Sequence, residues 1–383
     1  MCIRDSMKPD WKGIYPALTT KFTDNYQLDC DTFIKNLNAQ LDAGIHGCVI
    51  AGSLGEASTL NQDEKISLLN ESVKNVDDKI PVIMNIAEQS TSDAVIAAQN
   101  AEENGADGLM MLPPMRYLSD DRETVEFYKS VATSCGLPIM LYNNPHDYKI
   151  EITIPMFEEL LKLDTIEATK ESTRDVTNVT RMRNAFGDDI KILCGVDTLA
   201  LEELVLGADG WVAGLVDAFP RETVVIYELI KQNRIDEARE IYRWFMPLLE
   251  LDIHPKLVQN IKLAEVATGI GTENVRPPRL PLIGEERQHV QKIINDLVEF
   301  PVTLMDAYLF THMGIKEDGI IPEFKKTLEI GRKFSEQNVI SVIWHDNILK
   351  MKGGRVYGEI LEFLTSQEDV KILPGKELVK ILE

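Results

Sequence analysis

An α/β chain built as a (β/α)8 TIM barrel, with a C-terminal helical appendage and a partial α/β tail, is predicted by three features of the sequence. Short apolar runs alternate with helix-period segments from residue 13 onward. Eight such runs pass before the rhythm stops. A glycine-rich dinucleotide loop, expected after the first strand of an open doubly wound sheet, is missing.

The runs are Ile14 to Thr20, Gly47 to Gly52, Pro81 to Ala87, Gly108 to Pro113, Pro138 to Asn143, Thr165 to Lys170, Ile190 to Gly195 and Gly210 to Leu215. Helix starts fall between them: Asn61 with Glu64 three residues on, Ser90 before Asp93, and Thr153 ahead of Pro155. Four strandless helical patterns follow, Arg221 to Gln232, Ile235 to Leu251, Lys256 to Thr268 and Glu285 to Val298, with Gly269 to Pro281 as an irregular connection. The α/β rhythm restarts with strands at Pro301 to Asp306 and Val339 to His345, helices near Ile321 to Glu336 and Tyr357 to Ser366, and a last apolar run Val370 to Leu373. The expected division is residues 1–6 as a non-native scar before Met7, 7–299 as barrel with appendage, and 300–383 as a partial segment too small to bury its own core.

A formal charge of -22 argues against nucleic acid or an anionic membrane as partner. Five scattered cysteines without a CxxC pair suggest reduced thiols. The apolar runs are strand-sized and the N-terminus lacks a signal-peptide core, so a soluble cytoplasmic protein is expected.

Barrel chemistry sits at the C-terminal ends of the strands. There the sequence places Thr19 and Thr20, Gly52-Ser53-Leu54-Gly55-Glu56, Tyr142-Asn143-Asn144-Pro145, Lys170, Cys194-Gly195-Val196-Asp197, and Ala213-Gly214. Lys170 shares a strand face with Ile166 and Ala168. An ordinary strand-end lysine snorkels or pairs with a carboxylate. A buried one loses charge and can attack a carbonyl as a Schiff-base nucleophile. The Gly52–Gly55 loop is a simple turn or a carboxylate cradle of backbone N–H groups and the Ser53 hydroxyl. Tyr142 is a rim aromatic or, beside an imine-forming lysine, a proton carrier.

Gly13 to Thr20, Gly52 to Glu56, Tyr142 to Pro145 and Lys170 to Ser172, in this order and spacing, resemble the dihydrodipicolinate synthase / N-acetylneuraminate lyase family over about residues 8–298. The resemblance implies a class I aldolase-type enzyme in which Lys170 forms the imine with a 2-oxo acid and Tyr142 relays protons. Ser53 and the Leu54 amide would hold the carboxylate, with Gly52, Thr19, Thr20, Gly195 and Ala213 as further candidate substrate contacts. It also implies a homo-oligomer, dimer or tetramer, without metal or organic cofactor.

Three departures point away from lysine biosynthesis. The glycine loop carries Ser53 and Leu54 where synthases have two threonines. Asp147 stands where they have an arginine for the second substrate. The tyrosine that members donate across the dimer interface falls at Met115, with Tyr117 nearby. The Ser-Leu loop, Lys170 to Asp175 and Cys194 to Asp197 look closer to the branch that deaminates 1-pyrroline-4-hydroxy-2-carboxylate to 2-oxoglutarate semialdehyde. A sugar-acid aldolase or dehydratase, or a 4-hydroxy-tetrahydrodipicolinate synthase-like enzyme, is the alternative.

In the tail, Leu304 to Asp306, Ile340 to His345 and Val370 to Gly375 resemble the end of a polysaccharide deacetylase (NodB-type) domain. No two of the six histidines stand three or four residues apart, so the metal-binding motif of such an enzyme is missing. A metal-dependent deacetylase and a non-catalytic scaffold barrel are the alternatives of other classes.

Overall fold

The computed structural model describes residues 7–114 and 117–297, and in the C-terminal stretch 302–305, 316, 319–334, 341–343, 354–367 and 370. The chain divides into two compact units, Met1–Leu297 and Val298–Glu383.

In the first unit each of the eight predicted runs contains a strand: β1 Gly13–Pro16, β2 Cys48–Ile50, β3 Val82–Ile86, β4 Gly108–Met111, β5 Ile139–Asn143, β6 Ile166–Glu171, β7 Lys191–Cys194 and β8 Gly210–Ala213. They form one sheet in the order β1-β8-β7-β6-β5-β4-β3-β2, with parallel pairing throughout. Its two ends meet through the parallel bridge of Ala17 with Val49, where Leu18 N–H donates to the Val49 carbonyl at 2.9 Å. The sheet is therefore a closed barrel, a TIM barrel in its alternation of strand and helix.

The intervening helices are α1 Cys30–Ala43, α2 Gln62–Val76, α3 Thr91–Glu103, α4 Asp121–Ala132, α5 Pro145–Tyr148, α6 Ile154–Leu160, α7 Thr177–Phe186 and α8 Ala200–Val205. Asn61 and Glu64 form a reciprocal capping box on α2, and Ser90 accepts from Asp93 N–H on α3. The α6 start is different: Thr153 makes no side-chain cap, and Pro155 in the first turn fixes the entry instead. The first strand is shorter than its apolar run. Ala17 and Leu18 still bond to the neighbouring strands, and Thr19 and Thr20 lie in the following loop.

Helices α9 Pro220–Lys231, α10 Ile235–Leu249, α11 Leu257–Ala267 and α12 Gly284–Leu297 make the appendage. Helix α11 is buried from Val258 through Glu265, apolar and charged residues alike. Its apolar members, with Phe245 and Leu248 of α10, join the same core cluster as the strand residues. Burying a side chain of that kind contributes ~1.5–3 kcal/mol relative to exposure.

The second unit contains the parallel pair β9 Val302–Met305 and β10 Ser341–Ile343, with helices α13 Ile320–Phe334 and α14 Gly354–Thr365. The strand-helix-strand-helix order is the predicted one. Met115, Asp306, Ile340, Trp344, His345 and the run 371–375 lie outside the described residues. Among the described residues no helix is long and apolar enough to cross a membrane.

Candidate functional site

Lys170 is the penultimate residue of β6, in register with Tyr142 on β5 and Leu193 on β7. Its side chain runs inward and is 7% exposed. A Cβ on Gly195 would stand 2.1 Å from Ser172 Oγ and 2.7 Å from both Cγ and Cε of Lys170, so glycine leaves room for both side chains. The ammonium lies 4.2 Å from the centre of the Tyr142 ring. Burial pushes the Lys170 amine below the ordinary lysine range, while the Tyr148 phenol and the Asp252 and Asp197 carboxylates pull it back.

Two phenols flank the lysine. The Tyr142 hydroxyl accepts from Asn144 Nδ2 at 3.3 Å, and burial raises its pKa to about 12. Tyr148 closes the single turn of α5, whose helix ends at Lys149 in the left-handed region (φ 64). Its ring stands edge-on to Tyr142, with centroids 5.3 Å apart at 84°. Its hydroxyl is 2.6 Å from Ser53 Oγ on the glycine loop after β2. Burial raises the Tyr148 phenol well above the usual range, and Lys170 opposes that rise.

Asp197 is fully buried, yet its carboxylate is well served. It accepts from Trp211 Nε1 at 2.9 Å, from Gly214 N–H at 3.1 Å and from Leu215 N–H at 2.8 Å. Asp252, in the turn after α10, brings a second carboxylate against Gly214, where any Cβ would collide with it. Burial raises both acids. For Asp252 the Asp197 charge raises it further, and Lys170 lowers both.

Other predicted contacts are committed to the scaffold. Thr20 Oγ1 donates to the Gly55 carbonyl at 2.6 Å, joining the first two loops. Thr19 N–H donates to Asp217 Oδ2 at 3.1 Å, and its hydroxyl meets Glu265 of α11 at 2.5 Å and Lys21. The Ala213 carbonyl accepts Ala17 N–H at 2.9 Å in the β1–β8 seam. Glu56 accepts Arg276 N–H at 3.1 Å and also forms a buried ion pair with Lys262. Gly52 and Ser53 are adjacent to the Tyr148 contact, and the Leu54 side chain is buried beside them. Tyr117 is 58% exposed.

The mouth is not simply acidic at Asp147. Asn144 Nδ2 donates to it at 2.8 Å, His146 Nδ1 lies 3.2 Å away, and an Arg174 guanidinium nitrogen is at 4.0 Å. Burial works against the Asp147 charge, but these partners hold its carboxyl below the usual range. Sequence reasoning overlooked Tyr148, Asp252, Lys262 and Glu265. The signal for the last two was charge within α11, a helix buried from Val258 through Glu265.

A closed barrel with a buried lysine at the end of its sixth strand, beside a tyrosine on the fifth, defines a class I aldolase-type architecture. The dihydrodipicolinate synthetase family model matches residues 10–297, and the chain belongs to that family. Members are lyases that work through a lysine Schiff base, and this chain is an enzyme of that class. A 4-hydroxy-tetrahydrodipicolinate synthase of Exiguobacterium sibiricum is 31% identical over 276 residues, covering 71% of this chain and 92% of that protein. One from Archaeoglobus fulgidus is 29% identical, covering 74% and 96%. Among solved structures, a dihydrodipicolinate synthase from Bacillus anthracis is similar with a TM-score of 0.72 at 27% identity, covering 75% of this chain and 98% of that one.

Proposed function

We propose that the chain is a Schiff-base lyase acting on a small 2-oxo acid, of the 4-hydroxy-tetrahydrodipicolinate synthase kind that names its relatives. The observation that carries this reading is the Lys170 amine, buried at the strand end, over the face of Tyr142 at 4.2 Å. In this reading the neutral amine attacks C2 of the 2-oxo acid. The former carbonyl oxygen takes up protons and leaves as water, and the nitrogen remains as the iminium. Asn144 donates to the Tyr142 oxygen, which leaves the Tyr142 O–H free to point at the substrate. The iminium then draws electrons from C3, whose proton departs, and the enamine adds to an aldehyde. Residues 7–299 suffice for this reading, as a homo-oligomer in the cytoplasm. The 300–383 segment is a deacetylase-like remnant that plays no part, so imine formation is expected to survive its removal.

A second reading is deamination of 1-pyrroline-4-hydroxy-2-carboxylate. Ser53-Leu54 and Asp147 favour it, because a cyclic imine acid needs no arginine for a second substrate. The relatives' names favour the first. Arg174 beside Asp147 supplies a cation at the mouth, which weakens the objection raised by the aspartate.

Borohydride reduction in the presence of pyruvate, and separately of the cyclic imine, tests both on wild type and Lys170→Ala. An adduct mapped to Lys170 and lost in the variant is expected. The ligand that traps faster selects the reading. Folded wild type that traps neither ligand would remove both.

A further inference from the structure

From the Ser53–Tyr148 contact we infer that Tyr148 is a second proton-carrying phenol of the site, working with Ser53 on the imine-forming substrate. This rests on the Schiff-base reading above. The hydroxyls are 2.6 Å apart, and either can donate. A hydroxyl that donates and accepts at once passes a proton by turning over, which the amide of Asn144 does not do. Exposure falls along the set: Ser53 is exposed, Tyr148 is half-buried, and Tyr142 and Lys170 are buried. Ser53 and Tyr148 therefore lead from solvent towards the buried pair of Tyr142 and Lys170. The single turn of α5 sets the Tyr148 ring edge-on against Tyr142, at 5.3 Å between centroids, where its phenol acts electrostatically on Lys170.

The chemistry needs such a path. When Lys170 attacks C2, the nitrogen must lose a proton and the oxygen must gain two before water leaves. Enamine formation then releases one proton from C3. Tyr142 alone handles one transfer at a time. Tyr148 takes the C3 proton and passes one on through Ser53 to water, or runs the same path in reverse.

The test uses pyruvate with the full-length protein, comparing wild type, Tyr148→Phe, Ser53→Ala and the double variant. Borohydride trapping reads imine at Lys170, and proton NMR in deuterium oxide reads exchange of the pyruvate methyl hydrogens. Tyr148→Phe keeps the ring and its packing on Tyr142. We expect it to melt like wild type and reach the same trapped endpoint, with methyl exchange slowed by ~10²-fold or more. Ser53→Ala should slow exchange too, and the double variant should be little worse than either single change, as for groups acting as a unit. Exchange by Tyr148→Phe within about twofold of wild type would overturn the inference while leaving the Schiff-base reading intact. Absence of an adduct in wild type would overturn that reading and the inference with it.

Discussion

Glu56 and Lys262 form an ion pair of 2.6 Å in which neither side chain has any solvent exposure. The pair joins the glycine loop after β2 to α11. Lys262 also donates to the Asn274 carbonyl at 2.6 Å and lies over the Phe22 ring. Burial depresses the Lys262 pKa to about 8, against the pull of Glu56.

Removing Lys262 leaves the buried Glu56 carboxylate with only Arg279, at 3.7 Å, as counterion. Lys262→Met is expected to cost ~3–5 kcal/mol in chemical unfolding. Adding Glu56→Gln should recover a good part of that loss. A double variant as unstable as the single would show that the pair is not the source.

Gly195 is held to hydrogen by Ser172 Oγ, 2.1 Å from where a Cβ would stand, and by the stem of Lys170. Gly195→Ala would force the lysine's aliphatic stem aside, at an overpacking cost of ~1–3 kcal/mol. Loss of borohydride trapping in a protein with unchanged circular dichroism is the expected result. Wild-type trapping kinetics would mean that the stem has another place to go.

Asp252 raises the Lys170 pKa. Asp252→Asn removes that support, so the amine becomes neutral at lower pH. The acid limb of the trapping rate against pH should move to lower pH. A shift upward would show that Asp252 acts other than through charge.

Glu203 on α8 is 1% exposed, and burial, with Glu171 nearby, raises its pKa to about 8. The native state holds this proton between the ordinary carboxylate value and 8 while the unfolded chain has lost it. Stability from this group is full below the unfolded pKa and falls as pH rises through that window, by an amount on the order of a few kcal/mol. Glu203→Gln should therefore flatten melting temperature against pH, gaining on wild type at pH 8.5 but not at pH 4. Parallel curves would contradict this.

The barrel was legible because its signals are local. Asn61 with Glu64 and Ser90 with Asp93 cap their own helices, and the alternation that turns Lys170 inward is a property of one strand. What escaped comes from distant chain. Asp252 and Glu265 reach the barrel mouth from the appendage, and no periodicity within β1, β6 or β8 announces them. Thr19 and Thr20 looked like site residues because they follow an apolar run. Their partners, Asp217 and Gly55, belong to other strands' loops. Tyr148 lies only six residues beyond Tyr142, but its place at Ser53 depends on how α5 turns.

The 206 residues between Glu56 and Lys262 also set a clock. At ~5–20 residues per second, a ribosome needs roughly 10–40 s after making Glu56 to deliver its counterion. Until then Glu56 lacks this counterion, and a carboxylate without one is costly to bury. The tie between the second loop and the appendage thus forms only once α11 is made, and a chain interrupted before Lys262 lacks it.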